Sequence, residues 1–289
     1  MRSLPPATVI GASGYVGRAL VEALHRRGRT VLAPGRGQEA ELREAAEVGD
    51  LFYCAGLTAD YARQPAATAE AHLGLLSRLL EWLRPRRVVY LSSTRLFDSR
   101  PGEPVSDSTP LLLDPLNPRH LYDLTKAAGE SLCLAMAGER ARIARLSCIW
   151  SGEDDAPGFL PGLLRQLLAQ QANGDGPRRL VIPSHPDLAR HYMHRQDLVE
   201  ALLALAERDE HPPITSLTSE PEAVTNAALA ACLERLFAAK LRFAPPPSTP
   251  VLLPVPPRLD LSHQMQLPIR PPQPLLHHLK ALFSTPHHS

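Results

Sequence analysis

Charge of one sign is what this chain lacks most plainly. Its 31 Lys+Arg and 30 Asp+Glu leave a net charge of +1, and no basic stripe or acidic tail breaks that balance. Nucleic acid, which is bound through clustered cations, is therefore not an expected partner, and any ligand must be held by a local site. Cysteine is scarce as well. Cys54, Cys133, Cys148 and Cys232 form no CxxC pair and no metal-like spacing, so they read as reduced thiols rather than as a disulfide framework. No apolar run approaches the roughly 20 residues of a membrane span. The stretch Met1 to Ala7 has no apolar core of a secretory signal. A soluble, cytoplasmic protein with no membrane partner is the expectation. There is no internal repeat, and 289 residues suit one core with a smaller one appended.

Proline is abundant instead, at 30 residues, many of them between Pro245 and Pro286. Before that tail, short apolar runs alternate with helical stretches, which predicts a doubly wound α/β fold: a parallel sheet covered on both faces. Thr8–Ile10, Thr30–Ala33, Leu51–Ala55, Arg87–Ser92 and Ile143–Ile149 read as strands. Val16–Arg27 and Thr68–Leu83 read as amphipathic helices between them, with another helix following Pro118. Only the helical segment Glu39–Val48 separates the second strand from Asp50-Leu51, so a Rossmann-like sheet would lack its usual third strand. The expected division is a dinucleotide-binding part over 1–150, to which about 188–208 returns, and a smaller substrate-binding part over 151–289. Phe159–Gln170, Leu198–Ala206 and Asn226–Ala238 are its expected helices.

GASGYVG sets Gly11, Gly14 and Gly17 between a buried strand and an amphipathic helix. The first glycine permits the tight turn, the second the approach of a pyrophosphate, and the third close packing of helix on sheet, with the helix N-terminus favouring the anion. Ser13, Tyr15 and Val16 share that turn, and Cys54, Ala55 and Gly56 end a neighbouring strand. All are candidate cofactor contacts. No acidic residue closes the second strand to accept from adenosine ribose. Arg36 stands nearby and suits a 2′-phosphate, so NADP is favoured over NAD.

Tyr122 and Lys126 lie four apart, on one face of the expected helix. A phenol with a pKa of about 10 is a poor acid/base near neutrality, and a neighbouring ammonium is expected to favour its phenolate. The strand VVYLSSTRLF delivers Ser92, Ser93 and Thr94 to the crevice where open α/β sheets bind ligands.

These motifs together resemble the extended short-chain dehydrogenases/reductases, the nucleotide-sugar epimerase/dehydratase-like family. The resemblance covers almost the whole chain. SSTRLF is similar to SSxxVYG, which makes Ser93 the hydroxyl that polarises a substrate oxygen and leaves Ser92 a structural role. YCAGLT resembles the family's fourth-strand motif, RLSCIWSG its RxxNVYG, and RHYMHRQDLVEALLAL its RDFxHVxDxxxA. LDLSHQMQLPIRPPQPLLHHL resembles the closing DxSKxxxxLGxxP stretch.

The resemblance implies that Tyr122, Lys126 and Ser93 are catalytic, with Lys126 also holding the nicotinamide ribose. It implies substrate contacts at Ser93, Thr94, Cys148, Arg190 and Tyr192, the last two facing nucleotide-sugar phosphates. A homodimer through helices at about 68–84 and 119–137 is implied too. The chain departs from the pattern at Cys148, which replaces an Asn that meets the pyrophosphate, and at His191, which replaces an Asp. The family's arginine before the closing segment is replaced within PPPSTP. Thr94-Arg95 stands where 4,6-dehydratases carry Asp-Glu, which disfavours dehydration.

Hydride transfer to or from a keto or hydroxyl carbon of a nucleotide-activated sugar, as reductase or epimerase, is the first expectation. The alternatives are a reductase of a non-sugar carbonyl compound and a cofactor-binding sensor without turnover. No metal is expected. His191 and His194 would face opposite sides of a strand, and no acidic or thiol ligand stands at a spacing to join them.

Overall fold

The computed structural model describes residues 4–45, 47–58, 60–153, 156–173, 178–245 and 255–283. The proline-rich stretch 246–254, which holds most of PPPSTP, lies outside the described residues.

Strand β1 (Ala7–Ile10) is buried at every position, as a strand covered on both faces must be. Helix α1 (Tyr15–Arg26) follows it and buries Gly17, Leu20, Ala23 and Leu24 on one stripe. Next come β2 (Val31–Leu32), a 3-10 turn (Glu39–Glu44) and β3 (Asp50–Tyr53). Helix α2 (Pro65–Ala69), a π turn (Glu70–Gly74) and α3 (Leu75–Trp82) run on as one rod to β4 (Arg87–Ser93). A 3-10 turn (Thr94–Phe97) and β5 (Pro104–Val105) precede α4 (His120–Ala137), β6 (Ala141–Leu146) and β7 (Cys148–Trp150). The rest of the chain holds α5 (Phe159–Ala172), β8 (Arg178–Ile182), β9 (Ala189–Arg190), β10 (Tyr192–His194) and α6 (Arg195–Glu207). Then follow β11 (Ile214–Leu217), β12 (Val224–Thr225), α7 (Asn226–Phe237), β13 (Ala239–Phe243), β14 (Arg258–Leu259), α8 (Ser262–Met265) and α9 (Leu275–Phe283).

The main sheet is parallel, in the order β11-β6-β4-β3-β1-β2. Among the described residues, the third strand of a Rossmann sheet is missing, as expected. The segment after β2 forms only the 3-10 turn, and β3 pairs directly with β1, leaving two-residue β2 as the edge. Strand order reverses between β1 and β3, so the crevice above their carboxyl ends is where such a sheet binds ligands.

One edge strand escapes the sequence. In β11, Thr215 and Ser216 interrupt any apolar run, yet both are buried, because His211 bonds Thr215 at 2.9 Å and Asp107 accepts from Ser216 at 2.6 Å. Residues 214–217 thus join the main sheet as its edge, a segment that the sequence reading does not return to it. Leu198, Leu202 and Leu205 of α6 share a core with Ala7, Leu20 and Phe52 on one face of the sheet; Leu76, Leu79, Tyr90 and Cys133 fill the other. A further core gathers Trp150, Leu163, Leu233, Phe237, Leu275 and Leu279 from α5, α7 and α9. Among the described residues, no helix is long and apolar enough to cross a membrane.

Candidate active site at the crevice above β1, β3 and β4

Gly11 has φ of +81°, a conformation that side chains avoid, and a Cβ there would stand 2.8 Å from the backbone nitrogen of Ala55. At Gly17 a Cβ would lie 2.2 Å from the carbonyl oxygen of Gly11, so α1 seats against the turn only because that position is bare. Gly14 caps α1 in extended backbone, and Ser13 beside it is exposed. The amides of the first turn of α1 therefore point at the crevice without an acidic residue among them, which suits an anion. Tyr15 is pinned across the turn by a 2.8 Å bond to Ser151 and by Arg195, 4.7 Å over its ring, while Val16 packs on the core beneath. Cys54 continues β3 with a 2.9 Å bond from its amide to Ile10, which brings Cys54, Ala55 and Gly56 up to the glycine turn. These residues fit a dinucleotide: the cradle is one that a single Cβ would fill. Arg36 sits exposed in the loop after β2.

Strand β4 ends in two serines with different tasks. Ser92 donates to Glu130 at 2.5 Å, and Arg145 clamps that carboxylate from the other side, so Ser92 is structural. Ser93 accepts from the amide of Arg95 at 3.2 Å, which leaves its own proton for Tyr122, within hydrogen-bonding reach. Tyr122 is buried on α4, and burial pushes its phenol above the ordinary value. The bond from Ser93 and the charge of Arg95 oppose that rise, whereas Asp123 and Cys148 add to it.

Lys126 shares that face of α4, but its ammonium donates to Leu91 O at 2.8 Å, and the cation over the Tyr122 ring is Arg95, at 4.6 Å. The carbonyl at the β4 end holds the amine, and Arg95 is a second cation beside the phenol that the sequence reading does not place there. Lys126 still faces the cofactor loop. A Cβ on Gly56 would meet its Nζ at 3.3 Å, and burial lowers its pKa to about 8.

Three neighbours carry no signal in the sequence. Tyr61 lies 5.5 Å from the Tyr122 ring, and Arg95 reaches over Tyr61 as well, at 5.3 Å. Asp123 anchors Arg95 at 3.8 Å. His72, presented by the π turn, is fully buried with its edge toward Tyr122 at 5.4 Å and its Nδ1 on Thr125 at 2.8 Å. Burial pushes its pKa down to about 3, so the ring is neutral. A π turn depends on packing rather than on a motif, which is why the sequence hides it.

The expected substrate residues converge. Thr94 bonds Leu146 O at 3.2 Å. Cys148 is exposed and feels the charges of both Arg95 and Arg190. Arg190 lies beside Tyr192, reaches Asn226 Oδ1 at 2.8 Å and covers the Phe159 ring at 4.4 Å. Neither Asp187 nor Asp197 pairs with it. A groove of about 930 Å³ lies elsewhere, between Val105, Leu259, Gln264 and Pro271, and no expected site residue lines it.

Comparison with known proteins agrees with this geometry. Residues 7–217 match the model of the NAD dependent epimerase/dehydratase family. The 4-hydroxy-2-methyl-3-oxo-4-farnesyl-3,4-dihydroquinoline-1-oxide ketoreductase of Stigmatella aurantiaca is 32% identical over 241 residues, 73% of this chain and 67% of that protein. The GDP-6-deoxy-D-mannose reductase of Pseudomonas aeruginosa is 28% identical over 236 residues, 74% of each chain. The solved structure of MoeE5 in complex with UDP-glucose and NAD superposes with a TM-score of 0.75 at 20% identity, over 96% of this chain and 97% of that one. A family match that spans every strand of the main sheet settles the kinship: the chain belongs to the NAD dependent epimerase/dehydratase family, the extended short-chain dehydrogenases/reductases.

Proposed function

We propose that the protein reduces a ketone at the expense of a nicotinamide dinucleotide, with Tyr122 as the proton donor and a nucleotide-linked sugar as the substrate. The observation that carries this reading is the placement of Tyr122, a buried phenol within hydrogen-bonding reach of Ser93 and with the Arg95 guanidinium 4.6 Å over its ring. Reduction needs an acid that delivers a proton to the nascent alkoxide, and the bond from Ser93 and the charge of Arg95 both favour the phenolate that such a delivery leaves behind. Ser93 polarises the carbonyl oxygen, and Arg95 stabilises the phenolate as the proton leaves. Lys126 and the turn of Gly11, Gly14 and Gly17 hold the dinucleotide, which when bound supplies the hydride. The reading includes a homodimer through the outer faces of α3 and α4, where Leu73, Ser77, Ala128 and Leu132 line a shallow groove.

The test is a turnover screen of nucleotide keto-sugars and simple ketones with each reduced cofactor. Turnover of nucleotide keto-sugars alone supports the reading. Preference for nucleotide-free ketones supports the second reading, a non-sugar ketoreductase, which the Cys148 position and the Stigmatella ketoreductase favour. Cofactor binding with no turnover of any ketone contradicts both.

Arg190→Ala is expected to raise KM for a nucleotide-linked ketone while leaving kcat nearly unchanged, because a phosphate contact far from the reacting carbon is uniform binding. Its bond to Asn226 contributes about 1 kcal/mol, so melting moves little. A destabilised protein with unchanged KM contradicts the phosphate role. Arg36→Ala is expected to weaken NADP binding by about 1–3 kcal/mol and to spare NAD. Titration of both cofactors checks this, and equal losses contradict it.

A further inference from the structure

We propose that His194, Asp197 and His278 form a binding site for one divalent transition-metal ion, zinc by the chemistry of the set, that clamps α9 to the start of α6. Spacing along the chain offers His194 no third ligand, but folding supplies one. His194 ends β10, Asp197 lies in the first turn of α6, and His278 arrives on α9. One ligand atom from each lies within 4.8 Å of the others.

Direct contacts among the three do not explain the cluster. The buried Asp197 Oδ2 and His278 Nδ1, both on residues of the cluster, lack a hydrogen-bond partner. Two buried polar atoms without partners are costly, and a shared cation satisfies both. His194 Nδ1 accepts from the amide of Gln196 at 3.4 Å, which leaves Nε2 as its ligand atom. The imidazoles stand 4.4 Å apart between centroids and are both packed edge-on against Trp150, at 5.0 and 5.2 Å, which fixes their orientation.

Two imidazoles and one carboxylate, with a fourth position for water, form a zinc-type donor set. Bonds of about 2.0–2.1 Å place tetrahedral ligands about 3.3 Å apart, so small side-chain shifts close the triangle. Two cations face the cluster. Arg195 is paired with Glu153, and Arg270 acts on Asp197 from α9's approach. The clamp joins the third core to the sheet beside the Arg195–Tyr15 contact, and it needs neither cofactor nor substrate.

The chain carries 12 histidines, so uptake must be assigned by variants. Protein stripped with a chelator and titrated with Zn²⁺ is expected to take up one equivalent with micromolar or tighter affinity. At a hundredfold excess over Kd, Tm rises by about 5 °C. Co²⁺ in place of Zn²⁺ gives the visible bands of a tetrahedral site. His278→Ala, shown to be folded in chelator by its melting curve, loses the uptake, the rise and the bands. The exposed neighbour His277→Ala keeps all three. Should His278→Ala not fold, His278→Phe, which keeps the ring against Trp150, is read in the same way. No uptake by the wild type, or undiminished uptake in a folded His278 variant, overturns the proposal.

Discussion

Tyr122→Phe is expected to lower kcat by about 10²–10⁴-fold, the range for loss of a positioned general acid, while cofactor affinity and melting temperature stay close to those of the wild type. Phenylalanine keeps the packing that holds the ring: Arg95 over its face at 4.6 Å, His72 edge-on at 5.4 Å and Tyr61 at 5.5 Å. Only the hydroxyl and its bond to Ser93 are removed, so the loss falls on proton transfer and not on folding. Ser93→Ala acts in the same direction with a smaller loss, because Tyr122 still delivers the proton. Steady-state rates with calorimetric cofactor titration separate the two quantities. Near-full activity of Tyr122→Phe, under conditions where chemistry limits the rate, contradicts the assignment.

The largest effect on stability is expected at Glu130. Its carboxylate is clamped by Arg145 at 2.9 and 2.7 Å, with side-chain exposures of only 5% and 3%, and Ser92 adds a third bond. Removing one partner of a buried pair strands the other charge, so Glu130→Ala costs about 3–5 kcal/mol. At about 2–4 °C per kcal/mol, Tm falls by about 6–20 °C. Replacing both partners with apolar residues, as in Glu130→Leu with Arg145→Met, recovers most of that loss. Because Ser92 adjoins Ser93, the single variant also blurs the end of β4 and lowers kcat. Calorimetry of both single variants and the double variant checks the coupling. A Glu130→Ala protein as stable as the wild type contradicts the claim that the pair braces the site.

The glycine turn was legible because its chemistry is local: a bare Cα at Gly11 and Gly17 is required by atoms a few residues away or on the adjacent strand. Ser93 and Tyr122 were legible for a related reason, since a strand end and a helix face fix where each side chain emerges. The shortened sheet could be read from the length between β2 and Asp50 alone. Long-range packing was not legible. Arg95 comes to lie over Tyr122 through the fold of the segment after β4, while Lys126 donates to Leu91 O. His72 reaches the site through a π turn, and His278 meets His194 across more than eighty residues of chain. Strand β11 was hidden by Thr215 and Ser216, whose partners lie outside their own segment.

The most direct test of the central claim follows deuterium from cofactor labelled at C4 of the nicotinamide into the product of a ketone that the protein turns over. NMR of the product is expected to show deuterium on the new carbinol carbon with wild-type protein, and transfer slowed in step with kcat by Tyr122→Phe at unchanged cofactor affinity. Product with no deuterium at that carbon, or transfer as fast in Tyr122→Phe as in the wild type, contradicts it.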